Sequence, residues 1–169
     1  MRRALLLVLA ACGTNVAPDF VTAGAGPSIT LLPPIPTGPR LAVTAPAGAG
    51  LTYHTLRADG DLLAVDLDAT NDFSNVYGVA VRLHVGGGTF VRAEAATSWP
   101  IFRAEGGALV LSEQGTSSGR TVPAGRLATL WFRPVAASGE LELDVRRSAL
   151  VGADGARRAV AVGEARWSR

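Results

Sequence analysis

Lysine is missing altogether: the chain has 169 residues and every one of its sixteen basic residues is arginine. A phosphate-cradling P-loop needs its lysine and Schiff-base chemistry needs a primary amine, so both are excluded by inventory. There is one cysteine, Cys12, and there are two histidines, His54 and His84. Cysteine-rich structural zinc sites and three-histidine catalytic zinc sites therefore have no ligands to draw on. No cofactor is implied and no metal ligand is assigned. Sustained apolar stripes at i, i+3, i+4, i+7 are missing as well, which leaves no window of helical length.

What is present at the start is ordered. Met1-Arg2-Arg3 is basic, Ala4 to Ala11 is an unbroken apolar run ending in small residues, and Cys12 follows directly. Basic start, apolar run and small-residue boundary are the order of an export signal, and the run is too short to span a bilayer as a helix. Leu9-Ala10-Ala11-Cys12 resembles the lipobox of bacterial lipoproteins, which implies cleavage after residue 11, acylation of Cys12 and attachment of the mature chain to a membrane. Loss of Arg2 and Arg3 would leave fourteen basic residues against fourteen acidic ones. A neutral mature chain gives no reason to expect nucleic acid as partner.

Residues 12 to 50 read as the lipidated cysteine followed by a linker. Seven of the ten prolines precede residue 47, as in "LLPPIPTGPR" (31 to 40). Such composition favours extended polyproline geometry and a semi-rigid stalk. "SITLL" (28 to 32) and "RLAVTA" (40 to 45) are the two places in it where an edge strand fits.

From residue 51 to 169 short alternating segments recur between turn signals. In "DLLAVDLDA" (61 to 69), Leu63, Val65 and Leu67 alternate with Ala64, Asp66 and Asp68, which predicts a strand with its acids in solvent. "NVYGVAVRLHV" (75 to 85) puts Tyr77, Val79, Val81, Leu83 and Val85 on one side and Gly78, Ala80, Arg82 and His84 on the other. "ELELDV" (140 to 145) turns Leu141, Leu143 and Val145 inward. Further strands are expected in "LTYHTLR" (51 to 57), "TFVRAEA" (89 to 95), "ALVLSE" (108 to 113), "RLATLWFRPV" (126 to 135) and "RRAVAV" (157 to 162). Gly-, Asp- and Ser-rich turns separate them. About eight or nine strands without helices predict an all-β fold, an antiparallel β-sandwich, on the strand-and-turn spacing such folds show.

With these strands in place, residues 59 to 162 resemble a cohesin domain, a β-sandwich related to carbohydrate-binding modules. The resemblance rests on "DGDLLAVDLDATNDFSNVYGVAVRLHV", on "RLATLWFRPV" and on "GELELDVRRSALVGADGARRAV", in the family's order. It implies a non-catalytic binding module at the cell surface whose partner is a protein, such as a dockerin, or a polysaccharide. Where cohesins commonly turn through a Tyr-Asp-Pro-like corner, this chain has His84-Val85-Gly86-Gly87-Gly88.

Four patterns compete for function. Gly115-Thr116-Ser117-Ser118-Gly119 has G-x-S-x-G spacing, but no helix can follow it through Pro123, so Ser117 reads as part of a polar loop and the chain is read as no enzyme. Asp59, Asp61, Asp66, Asp68, Asn71 and Asp72 form an acidic run that lacks EF-hand spacing. Among the aromatics Trp131 reads as core, whereas Trp99, beside Pro100, is the candidate for an exposed sugar-stacking ring. The outward side of residues 75 to 85, with Ala80, Arg82 and His84, is the candidate docking face, because a small apolar patch flanked by donors suits another protein's surface. The rival expectation is a structural envelope lipoprotein with neither a carbohydrate nor a dockerin ligand.

Overall fold

The computed structural model describes residues 38–114 and 118–169. Cys12, the export signal, "SITLL" and Ser117 lie outside the described residues. In chain order the strands are β1 (Arg40–Thr44), β2 (Gly50–Asp59), β3 (Leu62–Ala69), β4 (Phe73–Val85), β5 (Gly88–Ala95), β6 (Ile101–Glu105) and β7 (Ala108–Ser112). They continue with β8 (Arg120–Val122), β9 (Gly125–Pro134), β10 (Ser138–Leu143), β11 (Ala149–Gly152), β12 (Arg157–Arg158), β13 (Ala161–Val162) and β14 (Glu164–Ser168). No helix occurs among the described residues.

These strands form two sheets, as a sandwich requires. One runs β13-β2-β3-β9-β5. The other runs β1-β14-β10-β4-β11-β12, with β7 and β8 on the second edge of β4 and β6 beyond β7. β1, inside the stretch read as linker, pairs with β14 from Arg40↔Ser168 to Thr44↔Glu164. One pair departs from the antiparallel expectation: β13 runs parallel to β2, with Ala161 opposite Gly50. Gly50 makes this possible, since a Cβ there would stand 2.2 Å from the Ala161 carbonyl oxygen.

Period-two alternation builds the core between the sheets. Leu63, Val65 and Leu67 of β3 face Val79, Val81 and Leu83 of β4 across it, all buried, with Leu130 and Phe132 of β9 beside them. The Phe132 ring packs on Trp167 of β14 with centroids 5.2 Å apart and planes tilted by 58°. Each such side chain removed from water is worth about 1.5–3 kcal/mol. Tyr53 also points into the core; its hydroxyl has no hydrogen-bond partner among the described residues, and burial pushes its ionisation far up.

Three sequence expectations change. The "RRAVAV" segment splits into β12 and β13, which serve different sheets. Val145, placed inward with Leu141 and Leu143, is 59 % exposed, because β10 ends at Leu143 and the chain turns at Asp144. Asp66, expected in solvent, is only 7 % exposed. It sits mid-sheet on β3, between β2 and β9, where long arginine side chains close over it.

Candidate functional site

Register brings β6, β7, β4 and β11 into one outward face. Arg103 of β6 stands opposite Val110 of β7, Val110 opposite Ala80 of β4, and Ala80 opposite Ala149 of β11. One row away Glu105 meets Ala108, which meets Arg82. On the other side Ile101, Ser112, Gly78 and Val151 follow one another, with Arg157 of β12 beyond. His84 stands at the end of β4, opposite Glu142 of β10.

The centre of this face is apolar. Val110 is 38 % exposed, and Ala80, Ala108, Ile101 and Val151 are partly exposed around it. Charge forms the rim: Arg82, Arg103, Glu105, His84 and Glu142 surround the patch. None of these five side chains makes an ion pair among the described residues. The predicted trio of Ala80, Arg82 and His84 is therefore brought together on the outward side of β4. Sequence reasoning missed Ile101, Ala108, Val110 and Val151. A signal existed in "ALVLS", where both alternating sets are apolar, as happens when each side of a strand is covered.

The outward face of the other sheet is a different surface. Asp66 accepts a hydrogen bond from the Thr129 hydroxyl at 2.6 Å and from Arg57 at 3.1 Å, with Arg126 at 3.8 Å. Asp68 stands 3.9 Å from the His54 ring. Burial pushes the Asp68 carboxyl above the usual carboxylate range; the nearby His54 partly counters this, Asp66 adds to it and Arg126 opposes it. Arg92 lies over the Trp131 ring at 3.9 Å and pairs with Glu94, while the Trp131 indole N–H donates to Asp59 at 2.8 Å. Arg133 donates to Asp61 at 2.9 Å.

The acidic run is thus dispersed over separate arginine, threonine and tryptophan partners. Asp72 accepts from the Ala124 N–H at the far end of the sheet. No group of three His, Cys, Asp or Glu side chains among the described residues is placed to hold a metal ion.

Trp99 does not fill the role expected of it. It is 8 % exposed and belongs to the core cluster. Arg120 of β8 covers its ring at 4.6 Å, held there by the Ser98 carbonyl at 3.1 Å and Glu113 at 3.2 Å. A loop position was a poor guide, because a large ring beside a sandwich edge gains more by tucking under the edge than by staying in water.

Beside Arg82 and His84 the face falls into a cleft of about 470 Å³. The β6–β7 turn at Gly106 and Gly107 and the loop with Asp144 and Arg147 bound it.

No protein-family model matches the sequence, and no curated protein matches it. Solved structures do resemble the fold. A cohesin module from the family 33 glycoside hydrolase of Clostridium perfringens superposes with a TM-score of 0.52 at 11 % identity, over 72 % of this chain and 95 % of that one. A chain of the CaDoc0917–CaCohA2 complex gives 0.49 at 14 % identity, over 62 % and 88 %. The described domain has a cohesin-like β-sandwich fold.

Proposed function

We propose that this chain is a non-catalytic binding module that docks another protein on the outward face of β6, β7, β4 and β11. The observation that carries the reading is an apolar centre at Val110 and Ala80 bordered by Arg82, Arg103, Glu105, His84 and Glu142, none of them ion-paired among the described residues. Interfaces concentrate small apolar cores inside polar rims, and unpaired rim charges can select a complementary partner. The resemblance to cohesins favours the same role, with a dockerin as one partner chemistry. Polysaccharide binding has less support, since Trp99 is buried. A role in polysaccharide degradation would come through the docked protein rather than through this domain.

Attachment to a membrane through an acylated Cys12, at an outer membrane or cell surface, belongs to the same proposal and rests on Leu9-Ala10-Ala11-Cys12 alone. Two acyl chains supply the second hydrophobic anchor that makes attachment stable. Radiolabelled palmitate should enter the wild type and vanish in Cys12→Ser; label that survives the substitution excludes this attachment.

The docking test is a quantitative capture from the parent cell, followed by titration of the captured protein. Val110→Glu should abolish binding without changing the melting temperature. Glu94→Arg, on the opposite sheet, should leave binding intact. Equal capture by wild type and Val110→Glu would remove the site from this face, and a structural envelope role without such a ligand would then be the better reading.

A further inference from the structure

The cleft beside His84 is bounded by glycine backbone at Gly106 and Gly107 and by Thr89 and Phe90 of β5. Gly107 has φ +82° and a Cβ there would lie 2.5 Å from the Leu83 carbonyl oxygen, so this position is closed to other residues. Its neighbour Gly106, at φ +51°, faces open space. Glycine backbone in the β6–β7 turn leaves the hollow open between β4, β5 and the Asp144–Arg147 loop, at a volume in the range of small ligand sites.

Its unpaired charge is positive. Arg82 enters the wall of the cleft with no ion pair among the described residues. Arg147, opposite, pairs with Asp144 at 3.5 Å, and that carboxylate is engaged again by the Arg146 backbone N–H at 2.9 Å. The Asp144–Arg147 pair offsets one guanidinium with one carboxylate, which leaves Arg82 as the unpaired cation of the cleft, beside the His84 ring, to receive an anion. The planar fork of arginine matches a carboxylate in two directed hydrogen bonds.

We propose that this cleft receives an acidic side chain of the docked protein, gripped by Arg82, with Arg147 at the opposite wall adding positive charge that its pair with Asp144 only partly offsets. The inference rests on the docking reading above and deepens it. A peptide carboxylate is favoured over a free sugar acid by continuity: Arg82 sits directly opposite Ala108, one row from the Val110 and Ala80 centre, so a protein lying on that face passes over the opening. The cleft is the end of a protein-sized surface.

The test is an amide-shift titration of the full chain by NMR with three probes: capped tetraglutamate, capped tetraglutamine and D-glucuronate. Tetraglutamate should shift the signals of Arg82, His84, Gly106, Gly107 and Arg147 as one saturable set, about tenfold more tightly than tetraglutamine. Arg147→Gln, at an exposed position where folding is not at stake, and Arg82→Gln should each weaken that binding by about tenfold, while Arg146→Gln, outside the cleft, should leave it unchanged. Shifts scattered over all arginines, equal binding of the two peptides, or tighter binding of D-glucuronate would each overturn the proposal. The two readings fail separately: if Val110→Glu abolishes capture of the partner while Arg82→Gln and Arg147→Gln leave it intact, the face stands and the acid-binding cleft falls.

Discussion

Charges stand on both outward sheet faces, but those in the middle of the β13-β2-β3-β9-β5 sheet are paired and those around the apolar patch on β4, β6 and β7 are not. There, Arg57 and Arg126 close over Asp66, Arg133 meets Asp61, and Arg92 spans Trp131, Glu94 and Asp59. Across the sandwich, Arg166 pairs with Glu140 on β14 and β10, but Arg82, Arg103, Glu105, His84 and Glu142 border an apolar patch and make no ion pair among the described residues. A surface whose charges are satisfied internally offers a partner little beyond displacement of existing contacts. A surface with unpaired charges around exposed valine and alanine offers both desolvation and new ion pairs. The lesson is that charge content alone does not mark a binding face; the partners of each charge do.

The largest effect should come from the layer the two faces share. Val81→Asp puts a charge among side chains that are almost wholly out of water, and should cost several kcal/mol, comparable to the whole stability of such a domain. Arg82→Asp, one residue along and on the outward side, should barely move a thermal melt. Equal losses from the two would show that the side assignment of β4 is wrong.

A smaller loss should separate the two faces. Thr129→Val deletes the hydroxyl that donates to the buried Asp66 carboxylate, and should lower stability by about 1–3 kcal/mol in a denaturant titration. It should leave binding untouched, the reverse of what is expected of Val110→Glu. If Thr129→Val weakens capture of the partner, the paired face is the binding face.

Asp68→Asn sharpens the account of the paired face through pH. The native carboxyl titrates above its ordinary value of 3.8, so the native state holds its proton more tightly than the unfolded chain does. The charged form is thus penalised at neutral pH, and the penalty disappears as pH falls through the raised native value toward 3.8. Asp68→Asn should therefore be more stable than wild type at pH 7, by less than about 1 kcal/mol, and the gain should shrink through the raised native value and vanish only as pH falls below 3.8. A gain that grows on acidification would reverse the assigned cause. The smallest effect is expected of Arg133→Ala. Its pair with Asp61 is exposed on both sides and should contribute about 0–1 kcal/mol, less at high salt.

Much of the fold was legible in the sequence. Val79, Val81, Leu83 and Val85 alternate with Ala80, Arg82 and His84, and that alternation already assigned two sides to β4. The limits came where alternation met a strand end or a long neighbour. Val145 continues the pattern of Leu141 and Leu143, yet β10 stops before it. Asp66 occupies an outward position, yet Arg57 and Arg126 from adjoining strands cover it. Trp99 lies in a loop, yet Arg120 from β8 and the core enclose it. For the candidate site, Ala80, Arg82 and His84 could be read on one strand, whereas Arg103, Val110 and Val151 arrive from three others.

The sequence by itself determined that the chain is all-β, because period-two apolar alternation and turn-forming residues act within a few neighbouring positions. It also determined what chemistry is missing, since an absent lysine or a single cysteine is a matter of inventory. Only the tertiary structure decided which charges are paired, which outward positions are buried, and where a cleft opens. Those depend on register: Val110 meets Ala80, and Thr129 meets Asp66, through hydrogen-bonded ladders between segments 30 and 63 residues apart.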